Sequence, residues 1–203
     1  MDELPVVRVD FPEAKRLADL ASIFQDLSFT IQACQGLLDV MKGEPKDAIL
    51  MQSIWTAALI SYVRCFATGK RFGLSEETIS HLEGNPIDVH RFYKNLRDKH
   101  IAHSVNPFEE VAVGLVLPKQ GSTENEIQGV ATLSKRHIAA SREDVENLIV
   151  LASTLREEVR RLAKEAEAET LEAGKEIPLE NLYKRPRLRV TAPGSDQAGL
   201  PRN

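Results

Sequence analysis

The sequence predicts an all-α protein: an up-and-down helical bundle with a long first helix, a small β-hairpin insert near 110–133 and a flexible C-terminal tail. Three observations predict it. Apolar residues recur at alternating spacings of three and four along the longest stretches, as in helices that bury one face. One short region alternates apolar and other residues with period two, which suits paired strands. After residue 170 the periodicity stops, and Gly, Pro and polar residues take over. The organisation expected is a helical domain over 1–170, carrying the hairpin, and a basic tail over 171–203. Short connections in a bundle of this size make it mostly up-and-down.

The elements follow in order. Residues 1–10 read as an irregular lead-in. Asp10 is placed to cap a helix, Pro12 fits a first turn, and Glu13 suits the positive end of the helix dipole. The apolar positions Leu17, Leu20, Phe24, Leu27, Ile31, Cys34, Leu38 and Met41 then mark a helix of about 30 residues, ended by Gly43 and Pro45. A second helix runs from Pro45 or Lys46 to Thr68 and is apolar almost all round, so it is central. Between Asp47 and Lys70 its one charge is Arg64, which needs a carboxylate partner or faces a site. A short helix begins at Ser75 and ends about Leu82. Asn85-Pro86 opens a fourth helix that reaches about His103 before Asn106-Pro107. Val111, Val113, Leu115 and Leu117 alternate, as do Ile127, Gly129, Ala131 and Leu133; these are the hairpin. Ser141 and Asp144 form a capping box for a last long helix to about Thr170, with the stripe Val145, Leu148, Ala152, Leu155, Val159 and Leu162.

Composition narrows the function. The 203 residues are 42% hydrophobic and 28% charged, which excludes wholesale disorder. Lys+Arg 26 against Asp+Glu 30 gives −4, so the whole chain is no basic nucleic-acid coat, although a local basic site fits. One such run is 183–189, with Lys184, Arg185, Arg187 and Arg189 and no acid. No stretch has the length and apolarity of a membrane span, and residues 1–10 lack a secretory pattern, so no membrane partner is expected. Cys34 and Cys65 lie in apolar helical contexts, as reduced thiols of a cytoplasmic protein would. They and the five histidines offer no zinc-ligand spacing.

The densest chemistry ends the fourth helix, from Tyr93 to Pro107. The stripe Val89, Tyr93, Leu96 continues into His100 and His103, where a packing face would carry Leu or Ile. At 100° per residue, Arg97 and His103 lie about 60° to either side of His100. Histidine moves protons near neutral pH, and arginine offers a planar fork of donors to a phosphate. That pair suits phosphodiester cleavage, in which RNA brings its own 2′-hydroxyl nucleophile and no metal or cofactor is required. Spacing alone leaves a structural reading open. The helix dipole by itself favours a histidine near a C-terminus, and Asp98 with Lys99 reads as a solvated face.

Arg97-Asp98 followed by His103 resembles the R-polar-x4-H signature of the HEPN superfamily. The phrase Leu96-Arg97-Asp98-Lys99-His100-Ile101-Ala102-His103 is similar to that of its abortive-infection branch. The resemblance covers about residues 11–165. It implies a metal-independent endoribonuclease acting on single-stranded RNA or tRNA in phage defence or as a toxin, with an antitoxin protein as a possible partner. It also implies a homodimer in which the Arg and His of two protomers face each other across a cleft. Arg97 would hold the scissile phosphate, His103 would move protons, and Asp98 would orient the site. His100, with no fixed family role, is a further candidate on its stripe position, and Arg64 and Lys99 are secondary ones. Two other readings remain: a non-catalytic HEPN-like module that dimerises and binds a protein or nucleotide, and a bundle that only presents the 183–189 run to nucleic acid.

Overall fold

A computed structural model describes residues 4–44, 47–67, 69, 71–102, 109–123, 126–136, 140–189, 194–197 and 199. The elements are α1 (Pro12–Lys42), α2 (Ala48–Arg64), α3 (Glu76–Ser80), α4 (Pro86–Leu96), a π turn (Arg97–Ile101), β1 (Glu109–Val116), β2 (Gly129–Arg136), α5 (Arg142–Lys175), α6 (Leu179–Tyr183) and a 3-10 turn (Ser195–Gln197). The fold is mostly helical, with a long first helix and one antiparallel two-stranded hairpin. The chain forms two compact units, Asp19–Leu162 and the combination of Met1–Ala18 with Ala163–Asn203.

The larger unit holds most of the core. From α1 come Leu20, Ile23, Leu27, Ile31, Cys34 and Leu37, which refine the stripe read from spacing. α2 runs antiparallel to α1. The Ser61 hydroxyl donates to the Asp26 carbonyl at 3.1 Å, and the Thr30 hydroxyl reaches the Ala58 carbonyl at 3.5 Å. From α5, Val145, Leu148, Ala152, Leu155 and Val159 are fully buried. Each such Val or Leu side chain contributes about 2 kcal/mol of transfer free energy. Tyr93 of α4 packs edge-on against Trp55 and Tyr62 of α2. Its hydroxyl donates to the Asp144 carbonyl at 2.7 Å, tying α4 to the start of α5.

Helix ends depart from the sequence reading in several places. Asp10 does not cap α1; the first turn opens with the Lys15 amide bonding the Phe11 carbonyl at 3.1 Å, one residue later, and Asp10 pairs with Arg185 at 3.1 Å. α2 ends at Arg64, short of Thr68, because the chain reverses there. The Leu74 amide bonds the Cys65 carbonyl at 2.8 Å, and a Cβ on Gly73 would lie 2.6 Å from the Ala67 carbonyl oxygen. α4 leaves α geometry at Leu96. α2 also starts later than Pro45 or Lys46, because Asp47 caps it by accepting from the Leu50 amide at 2.9 Å. Ser141 and Asp144 exchange side-chain and backbone bonds as the capping box requires.

β1 and β2 pair from Glu109↔Arg136 to Val116↔Gly129. Glu110 lies opposite Lys135, and the turn carries Gly121 at φ 86°. Every side chain described on the two strands is exposed, including Val111, Val113, Leu115, Val130 and Leu133.

The smaller unit changes the picture of the tail. α5 continues to Lys175, and α6 follows. Residues 186–188 then pair with the N-terminal segment. The Arg8 amide bonds the Pro186 carbonyl at 2.8 Å, the Leu188 amide bonds the Val6 carbonyl at 2.9 Å, and Val7 bridges Arg187. The run 183–189 is therefore backbone-paired over part of its length. Its sequence shows no periodicity because one isolated bridge imposes none.

Candidate active site

Arg97 opens the π turn, and the Ala102 amide closes it on the Arg97 carbonyl at 2.9 Å. Single π turns in α-helices recur at functional sites, where they re-aim side chains. The turn overrides the wheel drawn for this region. Angles of about 60° between Arg97, His100 and His103 assume 3.6 residues per turn, and a π turn holds more. His103 and the side chain of His100 lie outside the described residues.

The described part is an ion cluster. Arg97 Nη1 donates to Asp98 Oδ1 at 2.8 Å, and Lys94 Nζ donates to Asp98 Oδ2 at 2.7 Å. Partial burial pushes the Asp98 carboxyl upward, but the hydrogen bonds from Lys94 and Arg97 outweigh it and hold the group below its ordinary range. Asp98 is therefore an anion at neutral pH that fixes Arg97 from one side. The Arg97 side chain stays 38% exposed, with donors left for a ligand. Lys99 is exposed on the same turn. Lys94 and Arg97 against one carboxylate leave the cluster with a net positive charge.

Arg64 is not part of this cluster. Tyr62 meets His90 and Trp55 meets Tyr93, so α4 runs antiparallel to α2. The π turn accordingly lies toward the N-terminal half of α2, whereas Arg64 ends that helix. Arg64 gives Nε and Nη2 to the Asp26 carboxylate, with the Nε bond at 3.1 Å. Arg71 donates to the same carboxylate at 3.1 Å, to the Ser22 hydroxyl at 3.2 Å and to the Arg64 carbonyl at 3.1 Å. Asp26 is 6% exposed. Two arginines thus lock α1, α2 and the segment after α2 onto one buried carboxylate. The hydrogen bond that Arg64 donates to Asp26 comes first in raising the Arg64 pKa above its usual value. This is the carboxylate partner the sequence asked for.

The buried histidine of α4 is His90, which the stripe had passed over. Val89 and Leu96 are half-buried, and the fully covered line is His90 and Tyr93. The Tyr62 hydroxyl and His90 Nδ1 are 2.9 Å apart, and the Phe66 ring lies 4.1 Å from the imidazole. Burial, helped by Lys94 and Arg91, pushes the His90 pKa down against Glu76. His90 is thus neutral at pH 7, and its Nδ1 shares one hydrogen bond with the Tyr62 hydroxyl. A cue was available: His90 stands three residues before Tyr93, on the same face.

Two hollows lie apart from the cluster. One of about 530 Å³ is lined by His81, Pro86, Val89, Asn147, Val150 and Thr154, at the start of α4. Another, of about 640 Å³ and mostly apolar, lies within the smaller unit between Val7, Phe11, Leu17, Leu171 and Leu182. Among the described residues no three His, Cys, Asp or Glu side chains are grouped to hold a metal ion, and no helix is long and apolar enough to cross a membrane. Cys34 and Cys65 are both free and buried, and burial pushes each thiol up to about 12.

No family model matches the chain, and no curated protein or solved structure matches it.

Proposed function

We propose that the chain is a HEPN-type, metal-independent endoribonuclease that cuts single-stranded RNA or tRNA, serving phage defence or acting as a toxin. The observation that carries the reading is the Arg97–Asp98 pair, held at 2.8 Å on a π turn at the start of the R-polar-x4-H phrase. Arg97 binds a nonbridging phosphate oxygen and offsets the charge that grows there in the transition state. Asp98 positions the guanidinium and takes no part in bond making. The 2′-oxygen attacks phosphorus, the bond to the 5′-oxygen breaks, and a 2′,3′-cyclic phosphate and a 5′-hydroxyl result. His103 moves protons in this exchange, a role drawn from the motif. Lys94 and Lys99 add positive charge for the backbone.

One observation favours a second reading, a non-catalytic binding module. Asp98 already pairs with both Lys94 and Arg97, so both cations have a partner without a ligand.

The test is cleavage of total tRNA and mixed single-stranded RNA in EDTA. The nuclease reading expects cutting by the wild type and none by Arg97→Ala or His103→Ala, each still folded by circular dichroism. Undiminished cutting by either variant overturns the assignment, and RNA binding without cutting by the wild type supports the module.

A further inference from the structure

The hollow of about 530 Å³ at the start of α4 differs in chemistry from the ion cluster at Arg97. Its apolar lining includes Pro86 and Val89 of α4 and Val150 of α5, and its polar lining includes Glu83, Asn85 and Asn147. Among the described residues that line it there is no Lys or Arg. Gly84, between Glu83 and Asn85, has φ 84°, a left-handed turn that glycine adopts freely. It brings both of its neighbours to the hollow. Asn85 Nδ2 donates to Asp88 Oδ2 at 2.6 Å, which leaves its Oδ1 as an acceptor. Glu83 and Asn147 are exposed, and among the described residues neither side chain has an ion-pair or hydrogen-bond partner. The volume is that of a small-ligand pocket, and the lining is of the usual kind, apolar walls with a few polar groups.

The hollow and Arg97 share one helix. Pro86 and Val89 meet Val150 of α5 at the hollow, and farther along α4 the Tyr93 hydroxyl reaches the Asp144 carbonyl. α4 and α5 therefore run antiparallel within the larger unit, with the hollow at the start of α4 and Arg97 just past its end. Val89 and Pro86 precede Arg97 by eight and eleven residues, a span of about 12 to 16 Å along the axis. The α spacing holds up to Arg97, which falls within about 80° of both round the helix. A single RNA strand crosses such a span in a few nucleotides. The two places also divide the chemistry. Arg97 offers donors to a phosphate, whereas a hollow with a carboxylate and no cationic Lys or Arg disfavours phosphate and suits the donor edge of a base.

We infer that this hollow is a base-binding subsite that selects an unpaired guanine a few nucleotides from the cleaved phosphate, an inference that rests on the nuclease reading. Sequence-specific proteins read single-stranded RNA by hydrogen bonds to the edges of splayed-out bases. Guanine is the base with two adjacent N–H donors on one edge, N1–H and the N2 amine. A carboxylate accepts both, and bidentate bonds to a charged acceptor are among the strong ones. Glu83 is that acceptor. Adenine and cytosine set a ring-nitrogen lone pair beside their amino group, against the carboxylate. Uracil flanks its one ring N–H with two carbonyl oxygens. The Asn147 amide donates to guanine O6, and Pro86, Val89 and Val150 cover the ring.

Calorimetric titration of the full chain with 5′-GMP, 5′-AMP and 5′-IMP tests it without relying on cleavage. GMP is expected to bind about tenfold or more tighter than AMP, and tighter than IMP, which lacks the N2 amine. Glu83→Gln changes an exposed side chain, so the fold is kept, and it is expected to erase the preference. Glu77→Gln, exposed and outside the hollow, is expected to retain it. Cleavage is then mapped on single-stranded RNAs of one length with a lone G moved along them. Wild-type cuts are expected to move with the G, and cuts by Glu83→Gln to spread over the strand. Equal binding of GMP and AMP, a preference that survives Glu83→Gln, or wild-type cuts that ignore the G each overturns the inference. A GMP preference lost in Glu83→Gln, in a wild type that cuts no RNA, supports the guanine site and overturns the nuclease reading alone.

Discussion

Arg97 and Asp98 are sequence neighbours whose side chains meet at 2.8 Å, Nη1 to Oδ1, while Lys94 holds the other oxygen of the same carboxylate at 2.7 Å. Neighbours in an α-helix diverge by about 100°. The α-to-π change begins at Arg97 and coincides with this contact. The carboxylate takes up part of the guanidinium fork and fixes how the remainder is presented. An unpaired arginine on a helix surface samples many rotamers, and ordering it on binding costs about 1 kcal/mol or more.

Asp98→Ala is accordingly expected to lower RNA cleavage by about 100-fold, the scale of a misplaced positioning group, with little change in fold. Single-turnover rates check it. Because the two cationic hydrogen bonds outweigh the upward push of burial and leave the Asp98 carboxyl below its ordinary range, the pair persists throughout the neutral region. The sign is that of a depressed acid. Its stabilising contribution is present above the usual carboxylate range and is lost as pH falls through the lower folded value.

The Asp26 clamp predicts a stability effect separable from chemistry. Asp26→Ala leaves Arg71, whose side chain is 21% exposed, without its carboxylate, whereas Arg64 at 56% exposed can turn to water. The expected loss is about 3 kcal/mol, at the low end for breaking a buried pair. Urea unfolding followed by circular dichroism measures it. The double variant Asp26→Ala/Arg71→Ala is expected to lose less than the sum of the two single losses, since the pair is coupled.

His90 predicts a pH dependence. Burial favours the neutral imidazole, so its folded pKa lies below the ordinary 6.5. The unfolded chain therefore takes up a proton first as pH falls. The contribution of His90 is complete above about 6.5 and is lost progressively toward and through the lower folded value. The thermal midpoint of the wild type should drop on acidification through this window. In His90→Gln the drop should be smaller, on a lower starting stability, since the Tyr62 hydroxyl loses its 2.9 Å partner. Parallel profiles for the two proteins would remove His90 from this role.

Much of the fold was legible because burial imposes a period. Leu20, Leu27, Ile31 and Cys34 of α1 and the line Val145, Leu148, Ala152, Leu155, Val159 follow directly from side chains that leave water, whereas the α1 core takes Ile23 and Leu37 where spacing pointed to Phe24 and Leu38, both half-buried. The hairpin was legible from alternation, although its exposure on both faces was not. The π turn was illegible because apolar spacing records which residues are covered, not how many residues make a turn. Asp26 and Arg71 are 45 positions apart, and nothing local marks them as partners. Arg64 did announce a need, since a lone cation on an apolar helix requires an explanation. The pairing of 186–188 with 6–8 joins segments near opposite ends of the chain through backbone groups, which leave no side-chain pattern.

The central claim is that Arg97 and His103 serve a cleavage that uses the RNA's own 2′-hydroxyl. The most direct measurement is the chemistry of the product ends after tRNA is incubated in EDTA with the wild type and with Arg97→Ala/His103→Ala. The account predicts 2′,3′-cyclic phosphate and 5′-hydroxyl ends from the wild type and intact tRNA with the variant. Cleavage leaving 5′-phosphate and 3′-hydroxyl ends, or equal cleavage by the folded variant, would contradict it.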